Sequence, residues 1–84
     1  MEISSPKLLI EINMNEFIFL ILESDKNESF KIIDKYSLPI QGINNKKIQD
    51  YDLILNLFKK KIYSIEQEKN FVFNEVTIII NNFD

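Results

Sequence analysis

Eighty-four residues allow one domain at most, and a chain of this size buries only about 60–65% of its unfolded surface, so its stability is modest. An apolar share of 45%, 27% charged residues, one Gly and two Pro describe a folding chain rather than a disordered or low-complexity one. Cys, His and Arg are all absent and the net charge is −3, which excludes disulfides, thiolate or imidazole metal sites, a Cys nucleophile and the bidentate arginine contacts to phosphate and guanine typical of nucleic-acid readers.

The first residues, Met1-Glu2-Ile3-Ser4-Ser5-Pro6, lack the basic end and apolar run of a signal peptide. The longest apolar run, residues 17–22, is far short of a membrane span, so the cytoplasm is the expected compartment. Residues 7–12 and 16–23 are β-rich runs separated by Asn13-Met14-Asn15; because Asn tolerates positive φ, this reads as a tight hairpin. A second turn at Asp25-Lys26-Asn27-Glu28 leads into a third antiparallel strand over residues 30–36. Residues 37–49, with Pro39, Gly42 and Asn44-Asn45, read as a loop.

From Asp50 the period changes. Tyr51, Ile54, Leu55, Phe58, Ile62 and Ile65 recur at three- and four-residue steps, which predicts a helix over residues 50–68 with these side chains on one face. Asp50 suits its N-cap, and Lys59-Lys60-Lys61 sit toward the end where cations favour the helix dipole. Residues 75–81 read as a last strand, with Val76, Ile78 and Ile80 on one side and Thr77 and Ile79 on the other. The order is β-β-β-α-β, and a crossover helix sets the last strand parallel to its neighbour, beside the first strand, in a mixed four-stranded sheet.

Residues 17–22 are apolar at odd and even positions alike, and 8–10 and 78–80 repeat the pattern, so three strands ask for burial on both faces. One helix covers one face. The other must meet a second copy or additional chain, which predicts a homo-oligomer or a piece of a larger domain.

This order of strand, tight turn, two strands, loop, helix and strand resembles the opening of the actin-like ATPases of RNase H-like fold, with the cell-division protein FtsA and the pilus-assembly protein PilM nearest. Glu11-Ile12-Asn13-Met14 stands in the register of the family's first phosphate loop, an acidic residue, Ile, Gly and a small or hydroxyl residue. Gly42-Ile43-Asn44-Asn45-Lys46-Lys47-Ile48-Gln49-Asp50 fits the spacing of the FtsA-type segment before the helix. The resemblance covers residues 7–84 and implies one subdomain over 1–84, the N-terminal part of a larger protein. In full-length relatives that protein binds ATP with Mg, polymerises, and links the FtsZ ring to the inner face of the cytoplasmic membrane. It also implies weak nucleotide contacts at Glu11, Asn13, Met14 and Asn15.

Each of these residues also has a plainer reading. Glu11 is either the acidic residue beside a nucleotide-bound metal or a charge at a strand end, and Asn13 and Asn15 are either phosphate contacts or turn formers. Asn13 stands where the family has Gly and Met14 where it has a small residue, so this chain alone is expected to bind ATP weakly or not at all. Lys59-Lys60-Lys61 reads as a solvated helix face, and Gly42, the only glycine, as a position requiring positive φ. Glu66, Glu68, Glu75 and Asp84 are too scattered for a paired-carboxylate site. The expected role is structural, with no catalysis by this chain; the alternatives are a PilM-like assembly protein or a free-standing homo-oligomeric interaction module.

Overall fold

In the computed structural model, which describes residues 6–24, 29–44 and 47–80, two strands form the centre of the fold. Strand β1 (Lys7–Ile12) runs antiparallel to β2 (Glu16–Ser24), from Lys7 opposite Leu22 to Ile12 opposite Phe17. The two-residue period of a strand sends Leu8, Ile10 and Ile12 to the same side as Phe17, Phe19 and Ile21, and all six are at most 2% exposed. Burying each contributes about 1.5–3 kcal/mol.

Strand β3 (Phe30–Pro39) lies antiparallel on β2 and is three residues longer than the 30–36 expected. Ser37, Leu38 and Pro39 continue the ladder opposite Ile18, Phe17 and Glu16, because Leu38 keeps the alternation of Tyr36 toward the core. Pro39 is tolerated at the end of an edge strand. The register slips between Ile21 and Leu22, where Ile21 faces Asp34 and Leu22 faces Ile32. Ile33 is the extra residue of this bulge, and the shift moves Ile32 and Phe30 to the sheet face opposite Tyr36 and Leu38. The turn expected at residues 25–28 lies outside the described residues.

The segment expected to be a loop holds a small ribbon instead, β4 (Ile43–Asn44) paired with β5 (Lys47–Ile48). Ile43 and Ile48 are apolar residues directly opposite one another, and both pack on the core, which orders a stretch that composition alone marks as irregular. Gly42 has φ 73°, as its singularity suggested, and its carbonyl accepts from Gln49 N (2.7 Å) and Asp50 N (3.1 Å), so the ribbon closes onto the helix start.

Helix α1 (Tyr51–Lys69) is N-capped by Asp50, whose carboxylate accepts from Leu53 N at 3.0 Å. It ends at Asn70, which adopts the left-handed conformation at φ 60° and donates its N–H to the Glu66 carbonyl. Phe58 stands edge-on to Phe17 (5.1 Å) and Phe19 (5.6 Å), so the helix crosses over β1 and β2. That placement corrects the expected helix face. Ile54, Phe58 and Ile65 are buried and Ile62 half-buried, whereas Tyr51 and Leu55 remain 67% and 47% exposed on the flank beside Ile78 and Ile80.

After the helix, β6 (Glu75–Ile80) joins β1 in parallel, from Lys7 opposite Glu75 to Ile12 opposite Ile80. Asn81, expected in this strand, lies outside the described residues. The sheet order is therefore β3-β2-β1-β6, a mixed four-stranded α/β sheet with one helix on one face.

Candidate functional site

The β1–β2 turn brings Asn13, Met14 and Asn15 to one end of the sheet, with Glu11 on the strand leading into it. The asparagines make this turn by a different route from the one expected. Among the described residues the only non-glycine with positive φ is Asn70, so none of the turn residues uses the left-handed region. The Asn13 side chain does the work: its Oδ1 accepts from Asn15 N and Glu16 N, both at 2.8 Å, while Asn13 N donates to the Glu16 carbonyl at 3.2 Å.

Three of the four N–H groups from Asn13 to Glu16 thus point into the turn. A phosphate cradle needs such groups aimed outward, and an incoming phosphate would have to displace Asn13 Oδ1 from two of them. Met14 is 53% exposed at the tip. Glu11 projects from β1 opposite Ile18 of β2 and Ile79 of β6, on the sheet face away from the helix. Among the described residues there is no group of three or more His, Cys, Asp or Glu that could hold a metal ion.

The larger feature is the sheet surface itself. Opposite the helix lie Leu9, Ile18, Leu20, Leu22 and Ile32, in register with one another across three strands, together with Ile79 of β6. Polar groups rim this apolar centre: Lys7 pairs with Glu75 at 3.4 Å and stands 4.9 Å from the Phe30 ring centroid. On this face Leu9, Ile18, Leu20 and Leu22 are half-buried and Ile32 and Ile79 are exposed, whereas the described residues that pack with the buried core include those of the helix.

A second apolar feature was not expected from sequence. Between α1 and β6 lies a groove of about 170 Å³, lined by Ile12, Ile48, Tyr51, Leu55, Ile78 and Ile80 among others. It exists because the helix sits over β1 and β2, leaving β6 without cover. The signal was present in Tyr51 and Leu55, at the edge of the helical stripe.

The lysine run is only partly a solvated face. Lys59 and Lys60 are exposed, but Lys61 lies over the Tyr36 ring at 4.6 Å. Tyr36 in turn donates to Glu68 Oε1 at 3.1 Å, and Lys69 pairs with Asp34 at 2.7 Å, so the helix end is tied to β3. The Lys69 ammonium holds the Asp34 carboxyl below its ordinary value. Burial and the Glu68 partner push the Tyr36 phenol up. These contacts fasten the C-terminal half of the helix to β3.

Among the described residues no helix is long and apolar enough to cross a membrane. No protein-family model matches the chain, and no curated protein matches it.

Proposed function

We propose that this chain is a non-catalytic assembly unit, the opening RNase H-like subdomain of an actin-like protein of the FtsA type, whose place is the bacterial cell-division machinery. The observation that carries the assembly reading is the apolar sheet face opposite the helix, running from exposed Ile32 through half-buried Leu22, Leu20 and Leu9 to exposed Ile79. A contiguous apolar surface on a single small domain marks a surface that meets other protein. The FtsA type is the finer part of the proposal. It is supported by the β-β-β-α-β order, by the last strand lying parallel to the first, and by the Gly42-to-Asp50 segment that leads into the helix.

In this reading further protein packs on the open face. The nucleotide site of the whole protein would lie near the β1–β2 turn, with Glu11 and Asn13 to Asn15 as its weak contribution and ATP with Mg held chiefly elsewhere. The role of this piece is to support that site and the contacts with FtsZ. The test is co-sedimentation of the complete gene product with FtsZ polymers, alongside calorimetry with ATP. The proposal expects co-sedimentation and ATP binding by the complete product, and no micromolar ATP affinity in the 84-residue chain. A complete product that binds neither overturns the FtsA type; association with pilus-assembly proteins instead would favour the PilM-like alternative.

A second reading is favoured by a separate observation, the exposure of every residue of β6. A free-standing interaction module would bury that strand against its own copy. Gel filtration separates the two: a specific dimer indifferent to ATP supports the module.

A further inference from the structure

The two edges of the sheet are built differently. The β3 edge carries Lys31, Lys35 and Pro39, all exposed, and a bulge at Ile33. Charged side chains, proline and bulges are the devices by which edge strands avoid pairing with another chain. The β6 edge has none of them. It pairs with β1 in unbroken register, its single charge is Glu75 at the first position, engaged with Lys7, and Val76, Ile78, Ile79 and Ile80 are 44–55% exposed. Such an edge is a template for another strand.

The occupant is set by self-complementarity. Across a two-fold axis normal to the sheet, an antiparallel partner must be centred on a residue, since directly opposite side chains share a face. Centring on Ile78 sets Ile78 against its own copy, Val76 against Ile80 and Thr77 against Ile79. Centring on Thr77 would set Glu75 against Ile79, burying a charge against an apolar side chain. The groove closes in the same step. Tyr51 and Leu55, exposed on the flank of α1 above Ile78 and Ile80, come to lie over the paired β6 strands from both copies.

With such residues presenting about 200 Å² when fully exposed, the exposed fractions of Tyr51, Leu55, Val76, Ile78 and Ile80 amount to at most roughly 500 Å² per copy. The pair would bury at most roughly 1,000 Å², at the lower bound for a specific interface.

We infer that β6 pairs antiparallel with β6 of a second copy, centred on Ile78, joining two four-stranded sheets into one of eight strands. The inference rests on the second reading, the free-standing interaction module, and not on the FtsA resemblance, whose FtsZ test does not involve Ile78.

The experiment is sedimentation equilibrium of the 84-residue chain and of three variants, each first checked for wild-type circular dichroism. Ile78→Lys and Ile78→Glu each place two like charges on the axis and should weaken dimerisation at least about tenfold. Their equimolar mixture, setting Lys against Glu, should dimerise again, which also shows that both variants are folded. Leu20→Lys, on the open face, should dimerise like wild type. The inference is overturned by a monomeric wild type at millimolar concentration, by Ile78 variants that dimerise undiminished, by a mixture that stays monomeric, or by loss of the dimer in Leu20→Lys.

Discussion

Phe19 and Leu20 are neighbours in the chain and both large and apolar, yet they occupy opposite faces of the same strand. Phe19 is fully buried beneath Phe58; Leu20 is half-buried between Leu9 and Lys35 on the face away from the helix. The contrast extends along the sheet, where Leu8, Ile10 and Ile21 repeat the first environment and Leu9, Ile18 and Leu22 the second. Its lesson is that apolar residues at both parities of a strand state a demand for two cover layers, while the one helix among the described residues supplies one.

The sharpest break of that comparison is a pair of truncations one residue apart. Phe19→Ala removes a ring from the closed face and should cost about 3–5 kcal/mol, which is most of the stability expected for a domain of this length. Leu20→Ala should cost about 1 kcal/mol or less. Urea denaturation followed by circular dichroism reads both, and equal losses would mean that the two faces are equally packed.

Gly42 tests whether the helix is fixed over the closed face by its entry segment. A Cβ there would sit 3.0 Å from Ile54 Cγ1 and 3.1 Å from the Asp50 carbonyl oxygen, at a φ of +73° that L residues rarely adopt. Gly42→Ala should cost about 1–3 kcal/mol, and a neutral result would show that the segment relaxes freely. Smaller still are the two local hydrogen-bonding side chains. Asp50→Ala and Asn13→Ala should each cost about 1 kcal/mol, the first by leaving Leu53 N without its acceptor, the second by freeing Asn15 N and Glu16 N. An Asn13→Gly variant that gains ATP affinity in calorimetry would show that the side chain had been blocking a phosphate site.

The smallest effect is a pH dependence at the rim of the closed face. The folded Asp34 carboxyl titrates below its ordinary value because of Lys69, so its contribution is present above the ordinary carboxylate range and fades as pH falls through the lowered value. Tyr36 and Lys69 are raised, so theirs is intact below their ordinary values and fades as pH rises through the raised ones. Lys69→Met should therefore lower the urea midpoint slightly at neutral pH and not at about pH 2. An equal loss at both would place the role of Lys69 in packing.

Strand and helix positions were legible because their periods are: the alternation in β1 and β2, and the three- and four-residue steps from Ile54 to Ile65, with Asp50 as a cap. The parallel placement of β6 beside β1 followed from crossover geometry. What escaped were features that depend on contacts distant in sequence. The β4–β5 ribbon is ordered by Ile43 and Ile48 packing on the core, and the tilt of α1 toward β1 and β2, which strands Tyr51 and Leu55 in the open, is set by where Phe58 meets Phe17 and Phe19. At the candidate nucleotide residues the turn itself was legible, but not that the Asn13 side chain would take up its N–H groups in place of a positive φ. Nor did the Asn pattern single out Asn70, where the left-handed conformation does occur.

The difference between the two faces can be read directly by methyl NMR with a soluble paramagnetic probe, on the 84-residue chain at a concentration where it is monomeric. The methyl groups of Ile10, Ile21 and Ile65, each at most 1% exposed, should be unaffected, while those of Ile18, Leu20, Leu22 and Ile79 should broaden strongly. Equal protection of both sets would contradict the account, because it would mean that the chain covers both faces of its sheet by itself.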